Sequence, residues 1–370
     1  MKYDQDQRVV MTLDAGGTNF VFSAIQGNRE IVSPIRLASN ANDLEKCLDT
    51  IIDGFSQVKQ QMTIEPVAIS FAFPGPADYP NGIIGDLANL PAFRGGVALG
   101  PMLEELFNIP VFINNDGDLF VYGEAIAGLL PDINAKLEAA GSPKRYHNLL
   151  GVTLGTGFGG GMVTNEELFQ GDNSAGFEIW VMRNKKYPNS FAEEGASIRG
   201  VKGAYARLTG NDIADVPEPK LIYEIALGKH EGDQEAAIGA FEELAEVVGD
   251  ALANACTLVD GLIVIGGGLA GASELFMPDI VNELNGRVQT YSGDPVIRME
   301  SRAYNLDDEQ DLKDFITGDV VEIRVPRSQK FIPYDPLKRV GVGISRLGTS
   351  KAVSIGAYAY ALHTLDQKNA

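Results

Sequence analysis

Apolar stretches with strand-like composition alternate with a helix-like pattern through the first third of the chain. The strand-like stretches are rich in β-branched and aromatic residues, which favour strands. The stretch at 44–58 instead repeats apolar residues every three or four positions, as one face of a helix does, and Asn42 is its expected cap. The predicted elements are strands at 9–13, 20–25 and 31–37, a helix at 44–58, a strand at 67–73, a helix at 101–107 and a strand at 111–113. This order predicts an α/β arrangement.

The second half of the chain loosely repeats this plan. A strand at 149–154 is followed by a glycine-rich turn and a β-rich stretch at 162–164, which indicates two lobes that are built alike. Helical spacing then runs from 233 to 260, with Asp233 as the expected N-cap. The remaining predictions are a buried strand at 261–265, helices at 278–284 and around 356–362, and an inserted subdomain or flap at about 301–346 with one β-like run at 320–325.

The composition limits the class of protein. With 370 residues, 45% of them hydrophobic, the chain is long enough for two domains that each have a core. A net charge of −20 repels nucleic acid and anionic membranes, so neither is an expected partner. The chain has no long apolar run and its N-terminal residues are polar, so we expect neither a membrane span nor a secretory signal. Cys47 and Cys256 lie in apolar helical patterns, as core thiols of a cytoplasmic protein would.

Three glycine-rich segments, far apart in the chain, each follow an apolar, strand-like stretch. They cover residues 13–19, 154–161 and 265–271, and the first contains the acid Asp14. Glycine has no Cβ, so the backbone N–H groups of such turns can approach an anion closely. Three of them indicate one nucleotide that is held from several sides, and hence ATP-dependent chemistry between two lobes.

Two of these segments also match the glycine spacing of dinucleotide-binding turns, G-x-G-x-x-G. The match at 155–160 runs into the strand-like stretch 162–164, whereas a dinucleotide fold needs a helix there. The match at 266–271 does precede a helix-like stretch, so a nicotinamide-dependent oxidoreductase stays open on this turn alone. The phosphate-loop pattern G-x-x-x-x-G-K-[ST] does not occur in the sequence.

Four carboxylates are candidates for chemistry, and each also has an ordinary structural interpretation. Asp14 suits a Mg²⁺ ion beside phosphates or, equally, a plain glycine turn. Asp116 ends a predicted strand, where ligand sites of α/β sheets gather, and could accept a proton from an attacking hydroxyl. Taken alone, an Asn-Asp-Gly turn is the better interpretation of Asp116. Glu178 and Glu194, each near a glycine, could bind vicinal sugar hydroxyls or be ordinary exposed acids.

Together, the order and spacing of these segments resemble the ROK family of bacterial sugar kinases and related repressors, over most of the chain. The matching segments are 14–19 for D-x-G-G-T, 72–76 for G-x-P-G-P with Ala72 in place of the first glycine, 89–91 for N-L-P, 115–124 for N-D…G-E, 154–161 for the second phosphate segment and 266–268 for the adenosine segment. Under this resemblance, Asp116 changes from a turn residue to the best candidate for a catalytic base.

The resemblance implies a two-lobed actin-like ATPase fold, related to ribonuclease H, with mixed sheets flanked by helices and a ligand cleft between the lobes. The small lobe would comprise residues 1–120 and about 350–370. The large lobe would comprise residues 121–349, including the insertion at about 301–346. The family also implies a homodimer or another homo-oligomer.

The implied activity is ATP-dependent phosphorylation of a hydroxyl group of a hexose or amino sugar, with Asp116 as general base and Mg²⁺ held near Asp14, directly or through water. A small-molecule sugar is therefore the expected partner. The implied sugar-binding residues are Asn89, Asn115, Asp116, Glu178 and Glu194. The implied nucleotide-binding residues are Asp14, Gly16, Gly17, Thr18, Asn19, Thr156, Gly157, Gly267 and Gly268.

The chain departs from the family where the family's sugar motif reads E-x-G-H. Val181 stands in place of the histidine that helps to hold zinc, and no cysteine occurs at 183–194, so we expect no zinc site. Glu193 adjoins Glu194, so the assignment of the second sugar-binding acid could shift by one residue. Trp180 could stack on a sugar, but packing is the better interpretation.

This departure motivates the main alternative, a sugar-binding or regulatory protein of the same family that has no catalytic activity and no DNA-binding domain. Retention of Asp14, Asp116 and the three glycine segments favours the kinase. A DNA-binding repressor is a weaker alternative, because the first phosphate motif begins at Asp14 and we expect no helix-turn-helix before it. The net charge of −20 agrees with this.

Overall fold

The computed structural model describes residues 2–16, 18–73, 75, 77–85 and 91–368. Gly17 and Asn89, two of the predicted ligand-binding residues, lie outside the described residues. The strands are β1 (Val10–Ala15), β2 (Asn19–Gln26), β3 (Arg29–Glu30), β4 (Ile35–Ala38), β5 (Ala68–Ala72), β6 (Ala77–Asp78), β7 (Ile83–Ile84), β8 (Val111–Asn114), β9 (Asn148–Leu154), β10 (Phe158–Thr164), β11 (Glu167–Leu168), β12 (Leu262–Gly266), β13 (Arg287–Gln289), β14 (Pro295–Ile297), β15 (Arg302–Asn305), β16 (Val321–Arg324), β17 (Phe331–Tyr334) and β18 (Arg339–Ile344).

The helices are α1 (Leu44–Gln61), α2 (Leu99–Phe107), α3 (Asp116–Ala127), α4 (Leu129–Ala139), α5 (Ile198–Thr209), α6 (Pro219–Ala226), α7 (Gln234–Val259), α8 (Ser273–Leu284), α9 (Glu309–Thr317) and α10 (Thr349–Lys368). Of the helices in the described ranges, none is long and apolar enough to cross a membrane. The chain forms two compact units. The first comprises the described residues within Met1–Pro131, Gly161–Phe177 and Arg346–Ala370, and the second those within Asp132–Gly160 and Glu178–Ser345.

The first unit is built on a mixed sheet that is covered on both faces. Its strands lie in the order β3-β2-β1-β5-β8, with β4 paired to β2. β1 is antiparallel to β2 and parallel to β5, and β5 is parallel to β8. Because successive side chains of a strand point to opposite faces, the sheet has two cores. One contains Phe22, Phe55 and Phe71 on the α1 side, and the other contains Val10 and Tyr358 on the α10 side.

Helices α3 and α10 of the first unit meet at their backbones. A Cβ atom on Gly123 would overlap the carbonyl oxygen of Ala352, and one on Gly356 would overlap the carbonyl oxygen of Leu119. Both crossing points therefore require a residue without a side chain. This packing buries every residue of α3 after Asp116, so the position of that helix is fixed by its surroundings on all sides.

The second unit contains a parallel sheet with the strand order β9-β12-β18-β15. The central strand β12 is buried along its whole length. Helices α5, α6 and α8 pack against the long helix α7. As predicted, α7 begins after Asp233, whose carboxylate accepts a hydrogen bond from the backbone N–H of Ala236 at 3.0 Å.

Both cysteines are buried core thiols, as predicted from the sequence. Cys47 lies on α1 and Cys256 on α7, and neither forms a disulfide. Burial raises the pKa of each thiol to about 11. A thiol with such a pKa stays protonated at neutral pH, so neither cysteine is a nucleophile.

Two predicted boundaries in the first unit were wrong. The first helix is capped by Asp43 rather than Asn42, because the Asp43 carboxylate accepts the backbone N–H of Lys46 at 3.3 Å. The strand predicted at 31–37 begins only at residue 35, as β4, because β3 already ends at residue 30 and the residues between them belong to neither strand. Pro34 lies in the gap and has no N–H to donate to a neighbouring strand.

The segment 301–346 of the second unit takes part in the sheet at both of its ends. β15 pairs with β18, and β18 pairs with β12, so these two strands belong to the parallel sheet. Helix α9 and the hairpin β16–β17 lie between them in the chain. The helix predicted at 278–284 begins earlier, at Ser273, and contains Pro278 in its interior.

Candidate functional site

Three parallel strands of the first unit end level with one another. In the strand register, Asp14 of β1 is paired with Ala72 of β5, and Ala72 is paired with Asn114 of β8. Asp116 follows two residues after Asn114. The carboxyl ends of parallel strands are where ligands bind in open α/β sheets. The register therefore brings the predicted metal-binding acid and the predicted base to one edge of the sheet.

The turn after β1 carries the first glycine-rich segment. The Asp14 and Thr18 side chains are exposed, and Asn19 begins β2. A Cβ atom on Gly16 would lie 2.8 Å from the carbonyl oxygen of Asn19, so the tight turn requires glycine here. The carbonyl oxygen of Thr18 accepts the N–H of Ser39 at 3.0 Å, which ties the turn to the end of β4. The side chains of the turn remain on the surface, where a phosphate could reach them.

Asp116 is the first residue of α3. The preceding Asn115 caps the helix, with its Oδ1 atom accepting the N–H of Gly117 at 2.8 Å. The Oδ1 atom of Asp116 accepts the same N–H at 2.9 Å. The Asp116 side chain is exposed at the surface, but crowding by surrounding protein raises its pKa above the ordinary value, and the charge of Asp14 adds to the rise.

A chain of side-chain hydrogen bonds, partly buried, supports this edge of the sheet, and the sequence analysis did not find it. The side-chain amide of Gln170 donates to Oδ1 of Asn114 at 2.6 Å, and the hydroxyl of Tyr360 donates to Oε1 of Gln170 at 3.1 Å. Asn114 is fully buried. The chain links β8 to α10 and to the segment after β11, so it holds the strand end from which Asp116 follows.

Glu124, in the middle of α3, is a fully buried carboxylate. It accepts backbone N–H groups from Leu129 at 2.7 Å, Leu347 at 2.9 Å and Arg346 at 3.3 Å. Buried carboxylates need such partners, because an unpaired buried charge is costly. Glu124 thus joins the start of α4 and the segment before α10 to α3, which gives the N-D…G-E pattern a structural explanation at its last residue.

The second and third glycine-rich segments lie side by side in the second unit. β9 and β12 are parallel, with Thr153 paired to Gly266, so the turns that follow both strands are at the same edge. Gly267 has a φ of +89°, and a Cβ atom there would overlap backbone atoms of Leu154. Thr156 is exposed on the turn after β9. The two segments that were predicted to hold one nucleotide are therefore adjacent.

Adjacent acids, Glu193 and Glu194, face different groups. The Oε2 atom of Glu193 accepts the backbone N–H of Phe158 at 3.0 Å, and a Cβ atom on Gly157 would lie 2.7 Å from that oxygen. Glu194 instead forms an ion pair with Arg199 at 2.5 Å, while Glu193 is 3.5 Å from the same arginine. Glu193 therefore supports the second glycine segment, and Glu194 has a carboxylate that lies away from it.

Glu178 is held by the neighbouring Trp180. The indole Nε1–H of Trp180 donates to Oε2 of Glu178. The Trp180 ring meets the Phe191 ring edge to face, with centroids 5.8 Å apart, and 38% of Trp180 stays exposed. Val181, at the position of the family's histidine, is also exposed. Trp180 thus both packs and orients a predicted sugar-binding carboxylate.

The described residues contain no group of three or more histidine, cysteine or acidic side chains that could hold a metal ion. Mg²⁺ does not need such a group, because it usually keeps several waters and binds through one or two carboxylates. An exposed Asp14 at a strand end, beside a turn suited to phosphates, fits that mode of binding.

The predicted site residues form one set in each unit. The described residues of the first unit are Asp14, Gly16, Thr18, Asn19, Asn115 and Asp116. Those of the second unit are Thr156, Gly157, Glu178, Glu194, Gly267 and Gly268. Asn114, Glu124, Gln170 and Glu193 support these sets but were not predicted as supports, since their partners are far away in sequence.

Comparison with known proteins gives concordant matches. The profile described as the ROK family matches residues 10–179. A crystal structure of glucokinase from Parabacteroides distasonis is 55% identical, with a TM-score of 0.90, over 98% of this chain and 99% of that one. The N-acetyl-D-glucosamine kinase of Vibrio atlanticus is 30% identical over 270 residues, which is 70% of this chain and 83% of that protein. A ROK-family glucokinase from Streptomyces griseus, solved with glucose and AMPPNP, is 18% identical, with a TM-score of 0.58 over 95% of this chain and 98% of that one.

These matches and the architecture define the class of protein as an α/β protein of the actin-like ATPase fold, with mixed sheets flanked by helices, as predicted. The chain belongs to the ROK family.

Proposed function

We propose that this protein transfers the γ-phosphoryl group of ATP to a hydroxyl group of a hexose or amino sugar, with Asp116 as the general base. The protein is an ATP-dependent sugar kinase. Relatives that match most of the chain are named glucokinase and N-acetyl-D-glucosamine kinase. A glucokinase of the same fold was solved with AMPPNP, an analogue of ATP, which supports ATP as the phosphoryl donor.

The observation that carries the assignment of the base is the placement of Asp116. It is exposed at the start of α3, just past the level ends of β1, β5 and β8, and its pKa is raised. A carboxylate with a raised pKa accepts a proton more readily, and so suits general-base chemistry. Its Oδ1 atom accepts the N–H of Gly117, which leaves Oδ2 for the substrate proton.

In the proposed reaction, the sugar hydroxyl oxygen forms a bond to the γ-phosphorus while the bond from that phosphorus to the β–γ bridging oxygen breaks and ADP leaves. The hydroxyl proton passes to Asp116. The Oδ1 atom of Asn115 is engaged by the N–H of Gly117, so its side-chain NH₂ group is the part suited to donate to a sugar hydroxyl. We assign Asn89, Glu178 and Glu194 to sugar binding as well.

The glycine-rich turns supply the proposed nucleotide contacts. Their backbone N–H groups would bind phosphate oxygens, since the missing Cβ atoms allow close approach. The residues assigned to this role are Gly16, Gly17, Thr18, Asn19, Thr156 and Gly157 for the phosphates and Gly267 and Gly268 for the adenosine. Asp14 would hold Mg²⁺, directly or through water, and that ion would neutralise charge on the transferring phosphoryl group.

An ADP-release assay with Mg·ATP against a panel of hexoses, amino sugars and disaccharides tests the proposal. We expect turnover with at least one sugar and a loss of roughly 10²–10⁴-fold in Asp116→Asn. Asp49→Asn, the same change at an exposed position of α1, is the matched control and should keep full activity. Normal phosphorylation by Asp116→Asn would refute the assignment of the base.

One structural feature favours the alternative function, a non-catalytic sugar-binding or regulatory protein: Val181 is exposed where the family has a histidine. The same panel separates the two functions when it is repeated as a thermal-shift assay, because a ligand that binds the folded state raises the melting temperature. A sugar that raises the melting temperature without any turnover would favour the non-catalytic protein.

A further inference from the structure

A loop of the second unit, residues 182–192, is closed at its base by backbone hydrogen bonds. The N–H of Ala192 donates to the carbonyl oxygen of Met182 at 2.7 Å, and the N–H of Asn184 donates to the carbonyl oxygen of Ser190 at 3.0 Å. We call this segment the 182–192 loop. It leads directly into the two adjacent acids of the candidate site, so its conformation sets where those acids lie.

The side chains of the 182–192 loop do not fit the zinc ion that the family implies for this part of the chain. Structural zinc is bound mainly by cysteine thiolates and histidine imidazoles. Residues 182–194 include no cysteine and no histidine, and Val181 stands where the family has its histidine. The loop is therefore ordered by contacts of a different kind.

Asn184 lies inside the 182–192 loop and is fully buried. Its Oδ1 atom accepts the backbone N–H groups of Lys186 at 2.9 Å and Tyr187 at 3.0 Å, and its Nδ2 atom donates to the carbonyl oxygen of Phe191 at 3.4 Å. The side-chain amide thus joins the outgoing half of the loop to the returning half. Removing it would leave backbone groups without these partners, which is costly where water does not replace them.

Two ion pairs attach the outside of the loop to neighbouring helices. Lys186 is 2.9 Å from Glu246 of α7, and Lys185 is 2.8 Å from Glu283 of α8. All four side chains are partly exposed, and such ion pairs contribute little to stability because water and salt screen them. The buried amide of Asn184 is therefore the stronger constraint on the loop.

The amide of Asn184 also lies against the backbone that follows the two acids. A Cβ atom on Gly195 would be 3.1 Å from the Nδ2 atom of Asn184, so this glycine packs directly on the amide. Two residues before Gly195, the carboxylate of Glu193 accepts the backbone N–H of Phe158 at 3.0 Å. Asn184 thus supports the backbone on either side of the acid that holds the end of the second glycine segment.

We propose that Asn184 is a positioning residue for nucleotide binding, which orders the 182–192 loop without a metal ion and so fixes Glu193. Glu193 in turn holds the turn at 155–157, which the proposed function assigns to the phosphates of ATP, so this role of Asn184 rests on the proposed function. An amide suits the position because it offers an acceptor for two N–H groups and a donor for a carbonyl oxygen in one rigid plane. An aspartate would bring an unpaired charge into a buried site.

Calorimetric titration of the full chain with Mg·AMPPNP tests this role, because it measures nucleotide binding without turnover. We expect Asn184→Ala to raise the Kd roughly 3–10-fold, since a displaced Glu193 no longer holds the N–H of Phe158. Asn184→Ser should give a smaller rise, because a hydroxyl group accepts a turn N–H more weakly than an amide oxygen does. Asn189→Ala, the same change at an exposed position of the same loop, is the matched control and should leave the Kd unchanged.

A double variant separates positioning from a purely structural role. If Asn184 acts through Glu193, adding Asn184→Ala to Glu193→Ala should change the Kd by less than about 2-fold, because substitutions in one chain of contacts are not additive. A purely structural role would lower the melting temperature of Asn184→Ala but leave the Kd of its folded molecules at the wild-type value. A zinc-selective chelator should change neither the melting temperature nor the Kd of the wild type, whereas proteins with structural zinc unfold when it is removed.

Four results would overturn the role of Asn184: a wild-type Kd in folded Asn184→Ala, effects of Asn184→Ala and Glu193→Ala that multiply in full, weaker binding in the presence of the chelator, or no binding of Mg·AMPPNP by the wild type. Failure of the proposed function gives a different result. A protein that binds Mg·AMPPNP but phosphorylates no sugar would refute the kinase and would leave the role of Asn184 in nucleotide binding unaffected.

Discussion

The carboxylate of Glu193 reaches across the second unit to the backbone N–H of Phe158, at 3.0 Å, and so ties the turn after β9 to the segment before α5. Its neighbour Glu194 pairs with Arg199 instead, at 2.5 Å. The sequence alone left open which of the two acids binds sugar. The geometry gives them different surroundings, so substitutions should separate their roles.

We expect Glu193→Ala to raise the KM for ATP by roughly 10-fold with little effect on the KM for sugar, because the turn at Gly155–Gly157 loses a charged hydrogen-bond acceptor. Glu194→Ala should instead raise the KM for sugar, with little effect on the KM for ATP. Steady-state kinetics with each substrate varied in turn measure both effects. If Glu193→Ala instead raises the KM for sugar alone, the sugar-binding acid is Glu193 and the assignment of Glu194 is wrong.

A second prediction concerns the pH dependence of the reaction. Crowding by surrounding protein raises the pKa of Asp116, and the Asp14 charge adds to this, so the base becomes protonated at a higher pH than an ordinary aspartate with a pKa of 3.8. Catalysis requires the ionised form. The value of kcat/KM for sugar should therefore decrease as the pH is lowered, with an apparent pKa above 3.8. The residual activity of Asp116→Asn should not show this decrease.

The same pKa shift predicts the stability of that variant. A raised pKa means that the folded state binds the proton more tightly than the unfolded state, so the ionised Asp116 destabilises the fold at neutral pH and this penalty disappears as the pH falls through the raised pKa. Asp116→Asn should thus melt at the same temperature as the wild type or higher at pH 7. A clear decrease would show that lost activity reflects lost structure.

The strands that position the site were predicted from the sequence, but the side-chain contacts that support the site were not. The apolar runs of β1, β5, β8, β9 and β12 and the polar or glycine residues after them were visible as local patterns. The pairing of Asp14 with Ala72 and of Ala72 with Asn114 was not, because parallel register is set by contacts between distant parts of the chain. The support from Gln170 to Asn114 was missed for the same reason.

Helix α3, which begins with Asp116, was not predicted at all. A helix that is buried on every side has no alternation between apolar and polar faces, so the periodicity that reveals amphipathic helices is missing. The signal that could have found it is the start: Asn115 as a cap, followed by Asp116 and Asp118 in the first turn. The local turn pattern Asn-Asp-Gly competes with this signal at the same residues.

Trp180 offers a third prediction. Trp180→Phe keeps an aromatic ring against Phe191 but removes the N–H that holds Glu178. We expect the KM for sugar to rise roughly 3–10-fold with kcat little changed, since one hydrogen bond to a charged group is lost at a partly exposed position. Tyr187→Phe, a change at an exposed aromatic residue nearby in the chain, should leave both constants unchanged. An unchanged KM in Trp180→Phe would show that the indole only packs.

The backbone contact between α3 and α10 gives the last prediction. A methyl group on Gly123 would overlap the carbonyl oxygen of Ala352, so Gly123→Ala must push the two helices apart, and we expect it to lower the free energy of unfolding by about 1–3 kcal/mol or more. Gly203→Ala on α5 is the control, because its new methyl group would meet only Ile213, at 3.8 Å. That change should stabilise the protein by about 0.5–1 kcal/mol, since alanine favours a helix more than glycine does. Urea unfolding measures both changes. Because α3 begins at Asp116, the activity per folded molecule should also fall in Gly123→Ala and not in Gly203→Ala; equal activity in the two variants would mean that the position of Asp116 does not depend on this helix contact.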